Sequence, residues 1–569
     1  MKDNWIAAIV LALAAYLVFG GLGARSIENK DITRTAEIAR ETLEQGRWLA
    51  PTREGELETE KPPLYIWLVA GLGKATGRIG ALESRLPAAI ASYLSALLVF
   101  FWLRPRSGVV AAAVAAGFLA DGQVFLELAR ISRVDAVFAF LLAVSVVLSH
   151  EARGGLRKTL LLSILSGVAL AGAMLTKSPL LGLVLHLASV GGFYIVDLAV
   201  ERPWEKLREP AALHILRRFL APPASLPPIL GCALFCIWFL PFKAAITPAE
   251  WLLVKNQFIF ENTERAISGS DKPQPPWFYV PGVLFRAAPG SLFALLWIKN
   301  RSGGSGRSPD IEDDRALHRF AQSWWFFPFL VLSIAHGKQG RYILPCLPGL
   351  AVAGALNWSR LAASEAAWAV SGARGLGLVL GVAGAVATLA LPVASAIFLP
   401  EVLGDACWLA ALCGVVGVLG WRTDGVRAVV APLLLAVFVV EAGYNVVLLP
   451  APTIEGPRVF VKKLAERLPP DLRVEDIVIF EGRKGETRQR KIRILLSFYR
   501  DARSFPVIAT TPEKFLDELA ASESRRGLVD AANWDGLAPV ASALVSEPIA
   551  IEGENGDVFR LVRRASPPR

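Results

Sequence analysis

Two carboxylates and several cations lie beside long apolar segments, where ionisable residues are costly and are therefore candidates for function. The first pair is Asp31 and Arg34, which are three residues apart and so share one face of a helix. Either Asp31 caps the helix and pairs with Arg34 at the surface, or its carboxylate acts as a general base. The spacing alone leaves both interpretations open.

A second cluster is the charge pair Glu60 and Lys61, which two prolines follow directly. Because proline fixes the backbone, the Lys61 ammonium points in a set direction, and that suits a phosphate at the depth of the lipid headgroups. The alternative is a helix-start cap with a lysine whose ammonium reaches up to the membrane interface. Both interpretations fit the sequence.

Asp135 ends a basic run that begins at Arg130 and includes Arg133. Either it lies in the first turn of a helix, where a carboxylate suits the helix dipole, or it is a second external carboxylate that faces Asp31.

Two short turns on the predicted outer side carry cations that the positive-inside rule disfavours there. One turn holds Lys177, and the other, 336–342, holds Lys338, Arg341 and Tyr342. Recognition of a phosphate is one reason for such charges.

The clusters together predict an anionic lipid-phosphate substrate: cations hold the leaving phosphate while a carboxylate takes a proton from an acceptor hydroxyl. The sequence has no Walker loop, no dinucleotide fingerprint after a strand and no zincin motif, which argues against nucleotide-driven chemistry.

Long apolar helices must position these residues. The 569 residues are 54% hydrophobic and only 19% charged, which excludes a chain of ordinary soluble domains. A membrane-spanning helix needs about 20 mostly apolar residues. We therefore predict about thirteen spans, near 5–23, 85–103, 109–127, 133–150, 159–174, 178–197, 226–244, 279–298, 321–335, 342–358, 374–397, 404–421 and 427–448.

Basic residues in alternate loops place the N-terminus in the cytoplasm and, with an odd number of spans, the C-terminus outside. The net charge of +10 is then a signal of orientation, and we expect no nucleic acid as partner. The five cysteines all fall in apolar segments and lack the companions that a zinc site needs.

The predicted fold is mainly α: a transmembrane domain over 1–450 and a small soluble α/β domain over 451–569, outside the membrane. Within the large first external loop, 24–84, residues 31–46 have the pattern of an amphipathic helix and 62–77 that of an apolar interfacial helix. The glycine-rich and serine-rich stretch 300–310 is typical of a flexible linker.

The motifs, in this order, resemble those of membrane glycosyltransferases with the GT-C architecture, and most of all the protein O-mannosyltransferases and the bacterial lipid A aminoarabinose transferases. The run DITRTAEIARE at 31–41 resembles the D-E-x-R-Y-A-E-I-A-R-E pattern of that family, and E-K-P-P-L stands unchanged at 60–64. Residues 132–136, 176–179 and 338–345 resemble its S-R-x-D-A, T-K-G-P and K-L-P-x-Y-I-L-P elements, and P-W-F-Y stands at 276–279.

This resemblance implies that a sugar leaves a polyprenyl phosphate, such as undecaprenyl phosphate, by one inverting displacement. The acceptor would be a lipid, a glycan or a protein at the outer face of a bacterial inner membrane. By motif, Asp31 is the candidate base and Asp135 the second catalytic carboxylate. The candidate ligands of the donor phosphate are Lys61, Arg34, Lys338, Tyr342, Arg341 and Lys177. The supporting residues are Glu60, Arg133 and Arg265.

The sequence departs from the family pattern at Ile32 and Thr35, and no histidine precedes the P-W-F-Y run. In the aminoarabinose transferases that histidine can hold a metal ion together with the glutamate of E-K-P-P. No cofactor is therefore assigned, although a divalent metal ion at Glu60 stays open. The departures also leave the sugar and the acceptor unassigned.

Two other classes remain as alternatives: a transporter or flippase of lipid-linked sugars, and a lipid-binding assembly protein without catalysis. A transporter favours inverted repeats and ionisable residues at the bilayer midplane. We find no repeat in the sequence, and its charges cluster at the outer boundary.

Overall fold

The structure is a computed structural model and is mainly helical. It describes residues 2–24, 30–53, 55–58, 60–201, 220–260, 273–296, 309–364, 366–449, 464–465, 468–480, 506–509, 511–530, 537, 544–552 and 558–564.

The helices are numbered here in chain order. They are α1 Lys2–Phe19, α2 Lys30–Gln45, α3 Leu64–Thr76, α4 Ala81–Ala120, α5 Gln123–Ala129, α6 Val134–Glu151, α7 Leu156–Thr176, α8 Pro179–Glu201, α9 Pro222–Ala245, α10 Pro248–Ile259, α11 Tyr279–Arg286, α12 Gly290–Leu295, α13 Pro309–Ile334, α14 Leu347–Ser364, α15 Ala367–Phe398, α16 Leu403–Trp421, α17 Val426–Ala442 and α18 Pro512–Ala520. The strands are β1 Thr52–Arg53, β2 Glu56–Leu57, β3 Ile477–Phe480, β4 Val507–Ala509, β5 Arg526–Asp530, β6 Leu544–Glu552 and β7 Val558–Arg564.

Eight helices in the described part of the chain are long and apolar enough to cross a membrane. In a bilayer the backbone polar groups must be satisfied internally, and apolar helices meet that condition because their backbone hydrogen bonds form within the helix. The eight segments are Ala81–Ala120, Val134–Glu151, Leu156–Thr176, Pro179–Asp197, Pro222–Ala245, Ala367–Phe398, Pro400–Trp421 and Val426–Leu448. Two further apolar helices, Asn4–Phe19 and Leu64–Thr76, are shorter. The chain is thus a multi-pass membrane protein, while the number thirteen stays a prediction.

Three of the predicted spans differ from the observed helices as follows. Segments 85–103 and 109–127 lie mostly within α4, whose continuity is interrupted at Gly108, a residue with φ of 84°. The predicted span 279–298 is wrong as one helix, because α11 ends at Arg286 and α12 begins only at Gly290. Pro289 lies at this break and has no N–H with which to continue the hydrogen-bond ladder.

Glycines bring α15 and α16 into close backbone contact. A Cβ added at Gly384 would lie 2.5 Å from the carbonyl oxygen of Cys413, and one at Gly420 would lie 2.6 Å from that of Gly377. Small residues at such crossings let two apolar helices approach closely, which is how helices associate where the solvent is lipid.

The chain forms two compact units, 1–22 with 41–68 and 85–447, and 23–40 with 69–84 and 448–569. The second unit contains a five-stranded sheet of order β4-β3-β5-β7-β6, in which β3 runs parallel to β4 and β5. Its helix α18 is capped by Thr511, and Phe515 of α18 packs on Phe480 of β3, with 5.4 Å between ring centroids.

Several predicted local elements are confirmed. Helix α2 corresponds to the predicted amphipathic helix 31–46, and α3 to the apolar segment 62–77. The tail, 451–569, contains the strands β3 and β4. The linker 300–310 falls mostly outside the described residues. The division at residue 450 and the external position of the tail stay predictions.

Candidate active site

The carboxylate of Asp135 is the centre of a buried charge cluster. Asp135 is the second residue of α6, and only 3% of its side chain is exposed. The Nζ atom of Lys177 lies 2.6 Å from its Oδ1 atom. The Nε atoms of Arg133 and Arg341 lie 3.4 Å and 3.8 Å from its Oδ2 atom. Three cations from separate segments therefore converge on one carboxylate.

Lys177 occupies the turn between α7 and α8, where its backbone N–H donates to the Ala173 carbonyl. Its ammonium lies 4.5 Å from the centre of the Tyr342 ring, an electrostatically favourable position. Burial lowers the pKa of Lys177, Asp135 counteracts this, and the positive charges of Arg341 and Lys61 lower the pKa further. The effect of Lys61 on Lys177 indicates that the E-K-P-P turn lies near the cluster.

Tyr65 connects that turn to the segment before Asp135. Helix α3 begins directly after the prolines, and Trp67 donates its backbone N–H to the Pro63 carbonyl at 2.9 Å. The Tyr65 side chain is 1% exposed, and its hydroxyl faces Ser132 and the backbone of Arg133. Sequence reasoning missed Tyr65, although its position directly after the E-K-P-P-L motif is a usable signal.

Lys338 is held by the segment that leads to α11. Its side chain is 2% exposed, and its Nζ atom donates to the Gln274 carbonyl at 2.9 Å. Gln274 in turn donates its backbone N–H to the His336 carbonyl, so the two segments are joined by backbone contacts as well. Burial lowers the pKa of Lys338 and raises that of the Tyr279 hydroxyl, which faces the backbone of Gln339.

Arg130, which precedes Asp135 in the same segment, holds the ends of two helices together. Its guanidinium donates to the carbonyls of Leu17, Val18 and Gly20, which end α1, and to that of Asn445, which follows α17. Four acceptors around one guanidinium indicate a structural role for this arginine. Its place in a run beside Asp135 was the only signal of it in the sequence.

The remaining predicted residues are less fully described. Asp31 lies in α2, but its side chain is outside the described residues, as is all of Arg265. Arg34 is half-buried on α2. Asp31 and Arg34 belong to the second compact unit, whereas Asp135 and Lys61 belong to the first. The predicted pairing of Asp31 with Asp135 therefore stays a prediction.

The metal site that the sequence left open at Glu60 finds little support. The Glu60 side chain is exposed. Among the described residues, no group of three or more histidine, cysteine, aspartate or glutamate side chains is placed to hold a metal ion. The described side chains around Glu60 thus do not fit a metal ion, and residues 261–272 lie outside that comparison.

A family of known proteins matches a segment of the chain that contains several of the candidate site residues. Residues 60–216 match the family of dolichyl-phosphate-mannose-protein mannosyltransferases. This segment contains the E-K-P-P motif, the Asp135 motif and Lys177.

Curated relatives are similar over a longer stretch. The undecaprenyl phosphate-alpha-4-amino-4-deoxy-L-arabinose arabinosyl transferase of Edwardsiella ictaluri is 31% identical over 360 residues, which cover 61% of this chain and 58% of that protein. The enzyme of that name from Pseudomonas aeruginosa strain UCBPP-PA14 is 27% identical over 364 residues, 62% of this chain and 59% of that protein. The chain thus matches about three fifths of the length of each relative.

The crystal structure of ArnT from Cupriavidus metallidurans bound to undecaprenyl phosphate shares the fold. It has a TM-score of 0.66 at 18% identity and covers 99% of this chain and 98% of its own. These comparisons confirm the predicted resemblance to the GT-C glycosyltransferases, and to the arabinosyl transferases in particular.

Proposed function

We propose that the chain is a glycosyltransferase that moves a sugar from a polyprenyl phosphate, of the undecaprenyl type, to an acceptor at the outer face of a bacterial inner membrane. The names of its relatives and its fold support this activity. The N-terminus then lies in the cytoplasm and the tail in the periplasm, in agreement with the distribution of basic residues in the loops.

The observation that carries the proposal is the convergence of cations on Asp135. Lys177, Arg133 and Arg341 converge on a single buried carboxylate, and Lys61 acts on the same cluster. Cations gathered at one place are suited to the binding of an anionic group of a substrate. A phosphate accepts several charge-assisted hydrogen bonds and fits this need.

The reaction follows from these roles. The Asp31 carboxylate takes the proton of the acceptor hydroxyl, and the oxygen attacks the anomeric carbon of the donor sugar. The bond from that carbon to the phosphate oxygen breaks, and its electron pair stays on the polyprenyl phosphate. Lys61, Arg341 and Lys177 stabilise the negative charge of the departing phosphate. Asp135 orients Lys177 through the 2.6 Å contact.

The experiment that tests the proposal uses purified protein in proteoliposomes with a labelled undecaprenyl-phosphate sugar and an outer-membrane lipid extract. We expect Asp31→Asn to abolish transfer and to keep the binding of undecaprenyl phosphate, because the amide cannot take the proton. Asp405→Asn is the matched control, since Asp405 is an exposed carboxylate at the start of another helix, α16.

Full transfer by Asp31→Asn would remove the proposed base. Movement of the labelled donor across the bilayer without transfer would instead identify a flippase.

A further inference from the structure

Four buried polar side chains link α6, α7 and α8 deep inside the helical bundle. Ser145 and Ser149 belong to α6, Ser166 to α7 and His186 to α8, and all four are 0% exposed. The Oγ atom of Ser145 lies 2.9 Å from that of Ser166 and 3.0 Å from Nδ1 of His186. The Oγ atom of Ser149 lies 2.9 Å from that of Ser166. We call these four residues the Ser–His network.

The hydrogen bonds restrict where the hydroxyl and imidazole hydrogens of the Ser–His network can lie. Ser166 donates its hydroxyl to the backbone carbonyl of Ser145 at 2.8 Å, so it can only accept from the other two serines. Ser145 therefore donates its one hydroxyl hydrogen to Ser166 and accepts from the protonated Nδ1 of His186. Nε2 of His186 is buried and has no hydrogen-bond partner among the described residues. Nδ1 is therefore the polar atom that anchors α8 to α6.

Three members of the network, Ser145, Ser166 and His186, lie at a common depth below the charge cluster. Ser145 follows Asp135 by ten residues, Ser166 precedes Lys177 by eleven, and His186 follows Lys177 by nine. At about 1.5 Å per residue these separations are all roughly 14 to 17 Å. This depth is about half the hydrocarbon thickness of a bilayer, which is about 30 Å. Each network residue thus connects, along its own helix, to Asp135 or to the Lys177 turn.

Helices in lipid gain nothing from burying apolar surface against one another, so close packing and interhelical hydrogen bonds determine how they sit together. A slip of one residue along α6 moves Asp135 by about 1.5 Å, which is enough to break the 2.6 Å contact with Lys177.

We propose that Ser145, Ser166 and His186 are positioning residues that set the axial position of α6 against α7 and α8, and thereby hold Asp135 against Lys177. They do not touch the substrate. This inference rests on the proposed function for its effect on transfer, but the position of Lys177 can be measured without any activity.

The test compares His186→Leu with His186→Asn, whose amide can occupy the place of Nδ1. Ser189→Ala is the matched control, because Ser189 is also buried on α8 and, within the described part of the chain, donates to the Leu185 carbonyl of its own helix and to no neighbouring helix. The first readout is the labelling of Lys177 by an amine-reactive reagent, followed by mass spectrometry and referred to the exposed Lys158. We expect at least threefold more labelling of Lys177 in His186→Leu, and wild-type labelling in His186→Asn and Ser189→Ala.

The second readout is sugar transfer. We expect kcat/KM to fall at least tenfold in His186→Leu and to recover in His186→Asn. His186→Leu should add no further loss to Lys177→Gln, because residues that act through one contact are not additive. If His186→Leu does not yield folded protein, Ser145→Ala takes its place.

Wild-type labelling of Lys177 in His186→Leu, or equal effects of the leucine and asparagine variants, would overturn the positioning role. An additive loss in the double variant would overturn it as well. If the wild-type protein transfers no sugar, the proposed function fails, and the labelling of Lys177 still decides whether the network positions it.

Discussion

Removal of the negative charge of Asp135 should make the stability of the protein depend strongly on pH. In Asp135→Asn, Lys177 keeps its buried position but loses the counter-ion 2.6 Å away, while Arg341 and Lys61 still repel it. Breaking a buried ion pair by removing one partner costs about 3 to 5 kcal/mol. We expect a value near the lower end, about 3 kcal/mol at neutral pH.

The direction of the pH effect follows from the pKa of Lys177. In the folded protein this pKa is already below the ordinary value, and Asp135 is what raises it, so Asp135→Asn lowers it further. Between the folded and unfolded pKa values, the unfolded chain binds more protons, so stability rises with pH. The destabilisation is therefore full below the folded pKa of Lys177 and is relieved as the pH approaches the unfolded value.

The assay is thermal unfolding in detergent from pH 6 to pH 10, in steps of about one unit, followed by tryptophan fluorescence. The melting temperature of Asp135→Asn should be below that of the wild type at neutral pH and should rise more steeply with pH. The double variant Asp135→Asn/Lys177→Gln, which removes both charges, should regain most of the loss. A parallel pH profile for Asp135→Asn and the wild type, or a double variant less stable than Asp135→Asn, would refute the reasoning.

Two further predictions concern stability. Arg130→Met should lower the melting temperature markedly, because each buried carbonyl that loses its donor costs about 1 to 3 kcal/mol, whereas Arg104→Met, at an exposed position, should change it little. Equal melting temperatures for these two variants would contradict the role of Arg130. Gly384→Val should destabilise the contact of α15 with α16, since its Cβ would meet the Cys413 carbonyl at 2.5 Å, and Gly375→Ala, in open space on α15, is the control. A Gly384→Val protein as stable as that control would show that the two helices can separate at no cost.

The predictability of the fold depended on the length of each apolar run. Helices such as α6 and α8 follow from apolar stretches of about 20 residues, because a membrane admits few other structures there. The break between α11 and α12 was not predicted, since the composition of 279–298 is that of a continuous span. Mean hydropathy is averaged over a window of residues, so one proline at a break between two helices hardly changes it.

The sequence pointed to individual residues of the candidate site but not to which of them are in contact. Asp135, Lys177 and Arg341 were all singled out by residue type and position, but the contact of Asp135 with Lys177 was not predicted. The contact with Lys177 joins residues 42 positions apart, and no periodicity encodes it. His186 escaped notice because a single polar residue in a long apolar helix hardly changes its mean hydropathy.

The guanidinium of Arg130 has a consequence for the order of assembly. Its acceptors include a carbonyl near the start of the chain, at Leu17, and one at Asn445, 315 positions beyond Arg130 itself. The carbonyls at the end of α1 can bond as soon as Arg130 has been made, whereas the fourth acceptor of Arg130 arrives only when Asn445 has left the ribosome. In a chain truncated before residue 445, the buried guanidinium keeps its three acceptors at the end of α1 and lacks the one that joins it to the segment after α17.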